Sequence, residues 1–222
     1  MLIISKKKFL QAIEKITDTN SWVTALLMLL LFGVVLLKTF DAKRLKGSVL
    51  SLFNIHYVEN ESEENLSFFD AFQIVIFLFN VIVISLLIFS LKTYYSTTSS
   101  TSFASYLPVF LGLLSYFIIK RTLEFLLFHL FLIKREVRFF IVSKINYLHT
   151  VTFLVYIAVV LSEYSGLKKS FLCYFSALLF LVRFVIHLVS NKNLIFNKLF
   201  YFILYICAFE IAPLFLLFKL MF

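Results

Sequence analysis

Of the 222 residues, 62% are hydrophobic and only 15% charged, against about a quarter charged and roughly half apolar in an ordinary soluble domain. Four glycines and two prolines leave too few turns for a β-barrel, and only helices or closed barrels satisfy their backbone groups in lipid. Composition therefore excludes a soluble enzyme and predicts an all-α polytopic membrane protein of about six transmembrane helices. The formal charge of +9 sits in short clusters beside apolar runs. That placement fits anionic lipid and topology signals, not nucleic acid.

Residues 1–21 read as a short amphipathic segment: Leu2, Ile3, Phe9, Leu10 and Ile13 alternate with Lys6, Lys7, Lys8 and Lys15, as in a helix lying on a membrane surface. The transmembrane domain, 22–222, follows. Its first span is expected at 22–37, entered at Trp22 and closed by Lys38. A soluble loop, 39–70, opens on Lys43, Arg44 and Lys46 and ends on Glu59, Glu61, Glu63 and Glu64. The second span, 71–91, is almost free of charge, so it is expected to meet lipid on most sides.

A Ser/Thr-rich connection then leads to Pro108, which reads as the start of a third span, 107–133, because a proline's missing N–H costs nothing in a first turn. Lys134, Arg135, Arg138 and Lys144 read as a basic loop before a fourth span at 147–161. The fifth and sixth are expected at 171–189 and 199–222. Cys173 and Cys207 lie in these two antiparallel helices at depths roughly 15 Å apart, so free thiols are expected.

Six spans put both termini on one side. The first, third and fifth connections carry Lys38, Lys43, Arg44, Lys46, Lys134, Arg135, Arg138, Lys144, Lys192 and Lys198, ten basic residues, against eight on the terminal side. The positive-inside rule thus predicts both termini outside the cytoplasm and 134–144 facing it.

The chemically informative residues are ionisable groups within the spans: Lys120, Arg121, Glu124, Arg183 and Glu210. A charge at a helix centre costs roughly 2.5–3.5 kcal/mol, so such groups turn inward and pair. Arg183 and Glu210 form the simplest pair, since their helices are consecutive and antiparallel. Glu124 lies four residues after Lys120 and three after Arg121, at spacings that let it pair on its own helix. Such a cluster serves either to fix helix register or to receive an anion. His187, four residues after Arg183, shares its face. Pro213 would kink the last helix and free the carbonyl of Phe209 beside Glu210. No His pair at metal-ligand spacing, serine-nucleophile elbow or glycine-rich phosphate loop occurs, so no metal, cofactor or catalytic residue is expected.

The run Phe200 to Pro213, with its Glu210-Ile211-Ala212-Pro213 step, resembles the final helix of an uncharacterised family of Bacteroidota integral membrane proteins. Trp22, the Lys43-Arg44 loop and the charged third helix resemble that family as well. The resemblance implies a multi-pass protein of a Gram-negative inner membrane. The function expected is a non-enzymatic subunit of a cell-envelope assembly, partnered by membrane lipids and other membrane-protein subunits. A carrier or flippase for an anionic or lipid-linked substrate comes next, and an intramembrane enzyme after that.

A paired Arg183 and Glu210 make a measurable prediction. Breaking a buried pair costs about 3–5 kcal/mol, whereas replacing both members by apolar residues can be nearly neutral. Arg183→Leu and Glu210→Leu should each lower the thermal midpoint of the detergent-solubilised protein more than the double change does. Additive losses would exclude the pair.

Overall fold

The computed structural model describes residues 21–52, 70–95, 102–130, 135–165 and 167–190, and their side chains except those of 124–130, 135–141, 188 and 190. The amphipathic 1–21 segment (all but Ser21), most of the 39–70 loop, the sixth span, Cys207, Glu210, Pro213 and the side chain of Glu124 lie outside the described residues. Those described form six helices: α1 (Ser21–Phe40), α2 (Ala42–Val49), α3 (Ala71–Tyr95), α4 (Phe103–Leu130), α5 (Arg135–Tyr164) and α6 (Lys169–Ser190). All but α2 are long and apolar enough to cross a membrane, because about 20 residues at 1.5 Å each cover a 30 Å hydrocarbon core. This is an all-α, multi-pass architecture.

The most apolar helix is also the central one. α3 packs against α1, α4, α5 and α6 and buries residues all round its circumference, from Phe72 through Phe89. The expectation that it faces lipid on most sides is therefore corrected. Lipid chains are as apolar as leucine, so hydropathy alone cannot separate a lipid-facing helix from one enclosed by protein; a helix apolar all round is equally suited to the centre of a bundle. By contrast α1 and α6 keep broad apolar faces outward, with Met28, Phe32, Leu178 and Leu181 exposed.

Aromatic rings fill the gaps between helices. Trp22 lies 5.5 Å from Phe89, 5.8 Å from Phe103 and 5.3 Å from Tyr106, and Phe79 stacks on Phe153 at 4.6 Å. The Trp22 contacts account for a second correction. α4 starts at Phe103, not near Pro108, because Phe103 and Tyr106 are held against Trp22. Pro108 then falls inside the helix, where it forgoes a hydrogen bond to the carbonyl of Ala104. Gly33 and Gly112 have no close-packing duty: a Cβ built on either would meet nothing within 4 Å.

Two further differences come from charge taken as a loop marker. Arg135, Arg138 and Lys144 belong to α5, whose helix begins well before 147. The loop expected from 39 starts with the end of α1 and with α2, capped by Asp41, whose carboxylate accepts from the Arg44 N–H at 2.9 Å. Arg44 then donates to Asp70 at 2.8 Å and lies 5.1 Å from the Phe72 ring centroid, which ties α2 to the start of α3. Behind α2, Ser48 and Ser51 are buried against α5. Thr150 Oγ1 lies 2.8 Å from Ser51 Oγ and donates to the Ser48 carbonyl at 2.9 Å.

Thr150→Val keeps the shape of the side chain and leaves Ser48 O and Ser51 Oγ buried without this partner. Such losses cost about 1–3 kcal/mol. The thermal midpoint in mild detergent should fall by several degrees, while Thr122→Val, on an exposed helix face, should leave it unchanged; equal midpoints for all three proteins would show that α2 is not held by Thr150.

Candidate functional site

Consecutive long helices run antiparallel, so the start of α3, the end of α4, the start of α5 and the end of α6 share one end of the bundle. Measured from that end, Asn80 is nine residues after Ala71, Lys120 ten before Leu130, Lys144 nine after Arg135 and Arg183 seven before Ser190. At 1.5 Å per residue all four lie roughly 10–15 Å in from the end of the bundle. Four different helices thus deliver polar side chains to one level.

They meet around a cavity of about 60 Å³. A water needs about 10–15 Å³ by this measure, so the space suits a few waters or one compact polar group. Its polar wall is made by Asn80, Lys120, Arg121, Lys144, His149 and Arg183, and Phe77 and Phe117 supply part of the apolar remainder. Among the described residues no carboxylate lines it.

Arg183 and Lys120 are held by neighbouring groups. Arg183 Nη2 donates to the Lys144 carbonyl at 3.1 Å, which holds the guanidinium of α6 against the backbone of α5. Lys144 is 4% exposed. Lys120 Nζ donates to Tyr116 Oη at 3.4 Å and sits 5.6 Å from that ring's centroid, a cation–π arrangement that directs the ammonium along α4. Asn80 Nδ2 approaches His149 Nδ1 at 2.6 Å, with both residues buried. An amide nitrogen only donates, so in this orientation Nδ1 accepts and Nε2 carries the imidazole proton. Asn80 Oδ1 and His149 Nε2 are buried and have no partner among the described residues.

Of the residues singled out by sequence, Lys120, Arg121 and Arg183 come together at this cavity. His187 packs edge-on against the Tyr147 ring, centroids 6.1 Å apart, and is not among the lining residues. The backbone at Glu124 belongs to α4; its side chain, Glu210 and Pro213 lie outside the described residues. Three wall residues escaped the sequence reading. The sequence reading places Lys144 in a loop, and the apolar runs around Asn80 and His149 give no sign of either. The available signal was an amide and an imidazole in the middle of apolar spans, where an unsatisfied polar group costs several kcal/mol.

The arrangement can do one kind of chemistry directly. Two arginines and two lysines line this cavity, and guanidinium and ammonium groups form charge-assisted hydrogen bonds with oxyanions. No curated protein and no solved structure matches this chain. The family described as Domain of unknown function (DUF4271) matches residues 23–221, nearly the whole chain, and the protein belongs to that family.

Proposed function

We propose that this protein binds an anionic, phosphate- or carboxylate-bearing group in the cavity between α3, α4, α5 and α6, as a carrier or lipid-binding subunit of a cell envelope. The observation that carries the proposal is the convergence of Lys120, Arg121, Lys144 and Arg183, from three helices, on one small cavity. Guanidinium and ammonium groups form charge-assisted hydrogen bonds with phosphate and carboxylate oxygens. A partner chain in an assembly would meet the apolar outer faces of α1 and α6, which lipid covers equally well, so the cavity and not the surface supports this reading. The resemblance to Bacteroidota proteins supports a Gram-negative inner membrane as its location.

Binding is tested in lipid nanodiscs by native mass spectrometry. The wild-type protein should retain phosphatidylglycerol over phosphatidylcholine, and Lys120→Gln and Lys144→Gln should each weaken retention about ten- to a hundredfold, the worth of one hydrogen bond to a charged group. Displacement of the lipid by millimolar inorganic phosphate would identify a free anion as the ligand. Equal retention of both lipids by wild type and variants, with no phosphate bound, would end the proposal.

Orientation is tested separately, and the exposed α2 lysines offer a better handle than the buried 143–144 region. α2 lies at the cavity end of the bundle, because it follows the end of α1 and is tied to the start of α3. With Cys173 and Cys207 replaced by serine, a cysteine at Lys43 should resist a membrane-impermeant maleimide in intact spheroplasts, and one at Ser102 should react. The reverse pattern would invert the topology and leave the fold untouched.

A further inference from the structure

A second basic feature lies outside the cavity, at the corner where α1 gives way to α2. Asp41 is extended there (φ −157°, ψ 99°) and turns the chain. Lys38 in the last turn of α1 and Lys43 and Lys46 on α2 flank that turn, and all three are exposed. Lys43 and Lys46, three residues apart, share one face of α2. The other face packs inward, with Ser48 buried and Leu45 and Val49 against the core. Arg44 is paired with Asp70, and the Asp41 carboxylate caps α2 through the Arg44 N–H. Lys38, Lys43 and Lys46 have no ion-pair or hydrogen-bond partner among the described residues, and Asp41 offsets only one of them.

The depth of this corner follows from the contacts on either side of it. Trp22 meets Phe89 across the antiparallel α1 and α3, ring centroids 5.5 Å apart. Lys38 stands sixteen residues after Trp22, and Gln73, two after the start of α3, stands sixteen before Phe89. The two are therefore level. Lys43 and Lys46 flank Arg44, which reaches Asp70 just before α3 begins. All three lysines thus lie within roughly 10 Å of the end of the spans, where a long cationic side chain reaches the headgroups. Beside them Phe40 is 54% and Leu50 43% exposed, and apolar side chains of that size fit acyl chains better than water.

We propose that the α1–α2 corner is a docking surface for anionic phospholipids, with Lys38, Lys43 and Lys46 on the headgroup phosphates and Phe40 and Leu50 among the acyl chains. The surface is separate from the cavity and does not depend on what the cavity holds.

A bimane label on Val35→Cys reads this surface, because Val35 is exposed one turn deeper than Lys38 on the same face of α1. A label on Leu111→Cys, exposed within the α4 span, is the reference; Cys173→Ser and Cys207→Ser remove the native thiols from both. With the full-length protein in phosphatidylcholine vesicles, brominated phosphatidylglycerol and brominated phosphatidylcholine are compared as quenchers of each label. One lysine near an anionic surface is worth about a fivefold preference, so the Val35 label should favour phosphatidylglycerol by at least about fivefold relative to the Leu111 label. Raising the salt from about 0.05 M to about 0.5 M should shrink that preference towards one. Lys38→Gln, Lys43→Gln and Lys46→Gln together should bring it to the Leu111 value, whereas arginine at the same three positions should preserve it. Should the glutamine variant fail to fold, the salt titration of the wild-type protein decides. Equal quenching by the two lipids at Val35, a preference indifferent to salt, or one that survives in the folded glutamine variant would overturn the proposal.

Discussion

Inside a bilayer a polar group has no water to fall back on, so it must find its partner within the protein. That constraint organises this bundle. Asn80 on α3 meets His149 on α5, Ser85 on α3 meets Tyr106 on α4 at 2.6 Å, and Tyr156 on α5 donates to the Leu27 carbonyl of α1 at 3.2 Å. Each is a contact between helices whose apolar surfaces could pack in other registers. Apolar packing brings such helices together, and the few polar contacts specify which rotation and height they adopt.

The central position of α3 follows from the same constraint. With four long neighbours, it can carry Asn80 and Ser85 in an otherwise apolar stretch and offer each a partner within the protein, across a helix interface and, for Ser85, also on its own backbone at the Ile82 carbonyl. α1 and α6 sit at the periphery and leave large apolar side chains outward. The cavity forms where α3, α4, α5 and α6 meet, on the side where Lys120, Lys144 and Arg183 approach from three directions. Long cationic side chains can reach that space from their helices, and Lys120 holds its ammonium over the Tyr116 ring.

Beside this interior, α2 packs on α5. Its exposed face carries Lys43 and Lys46, and its inner side docks Ser48 and the following Ser51 on Thr150, the residue next to His149. A short helix of this kind is marginal alone. It persists here through the Asp41 cap, the Arg44–Asp70 ion pair and that buried hydroxyl contact.

The sequence by itself determined the solvent and the fold class, because long apolar runs with few glycines and prolines admit helices in lipid and little else. It also marked Lys120, Arg121 and Arg183 as residues needing an interior destination, since a charge in an apolar span is costly wherever the helix packs. Tertiary structure decided the rest. Hydropathy carries no sign of whether α3 faces lipid or protein, as both are equally apolar. Lys144 looked like part of a basic loop because charge in sequence usually means solvent, and only the approach of α6, with Arg183 bonded to the Lys144 carbonyl, shows it buried. Asn80 and His149 lie 69 residues apart, and no local pattern relates them; their pairing exists because α3 and α5 meet at that level.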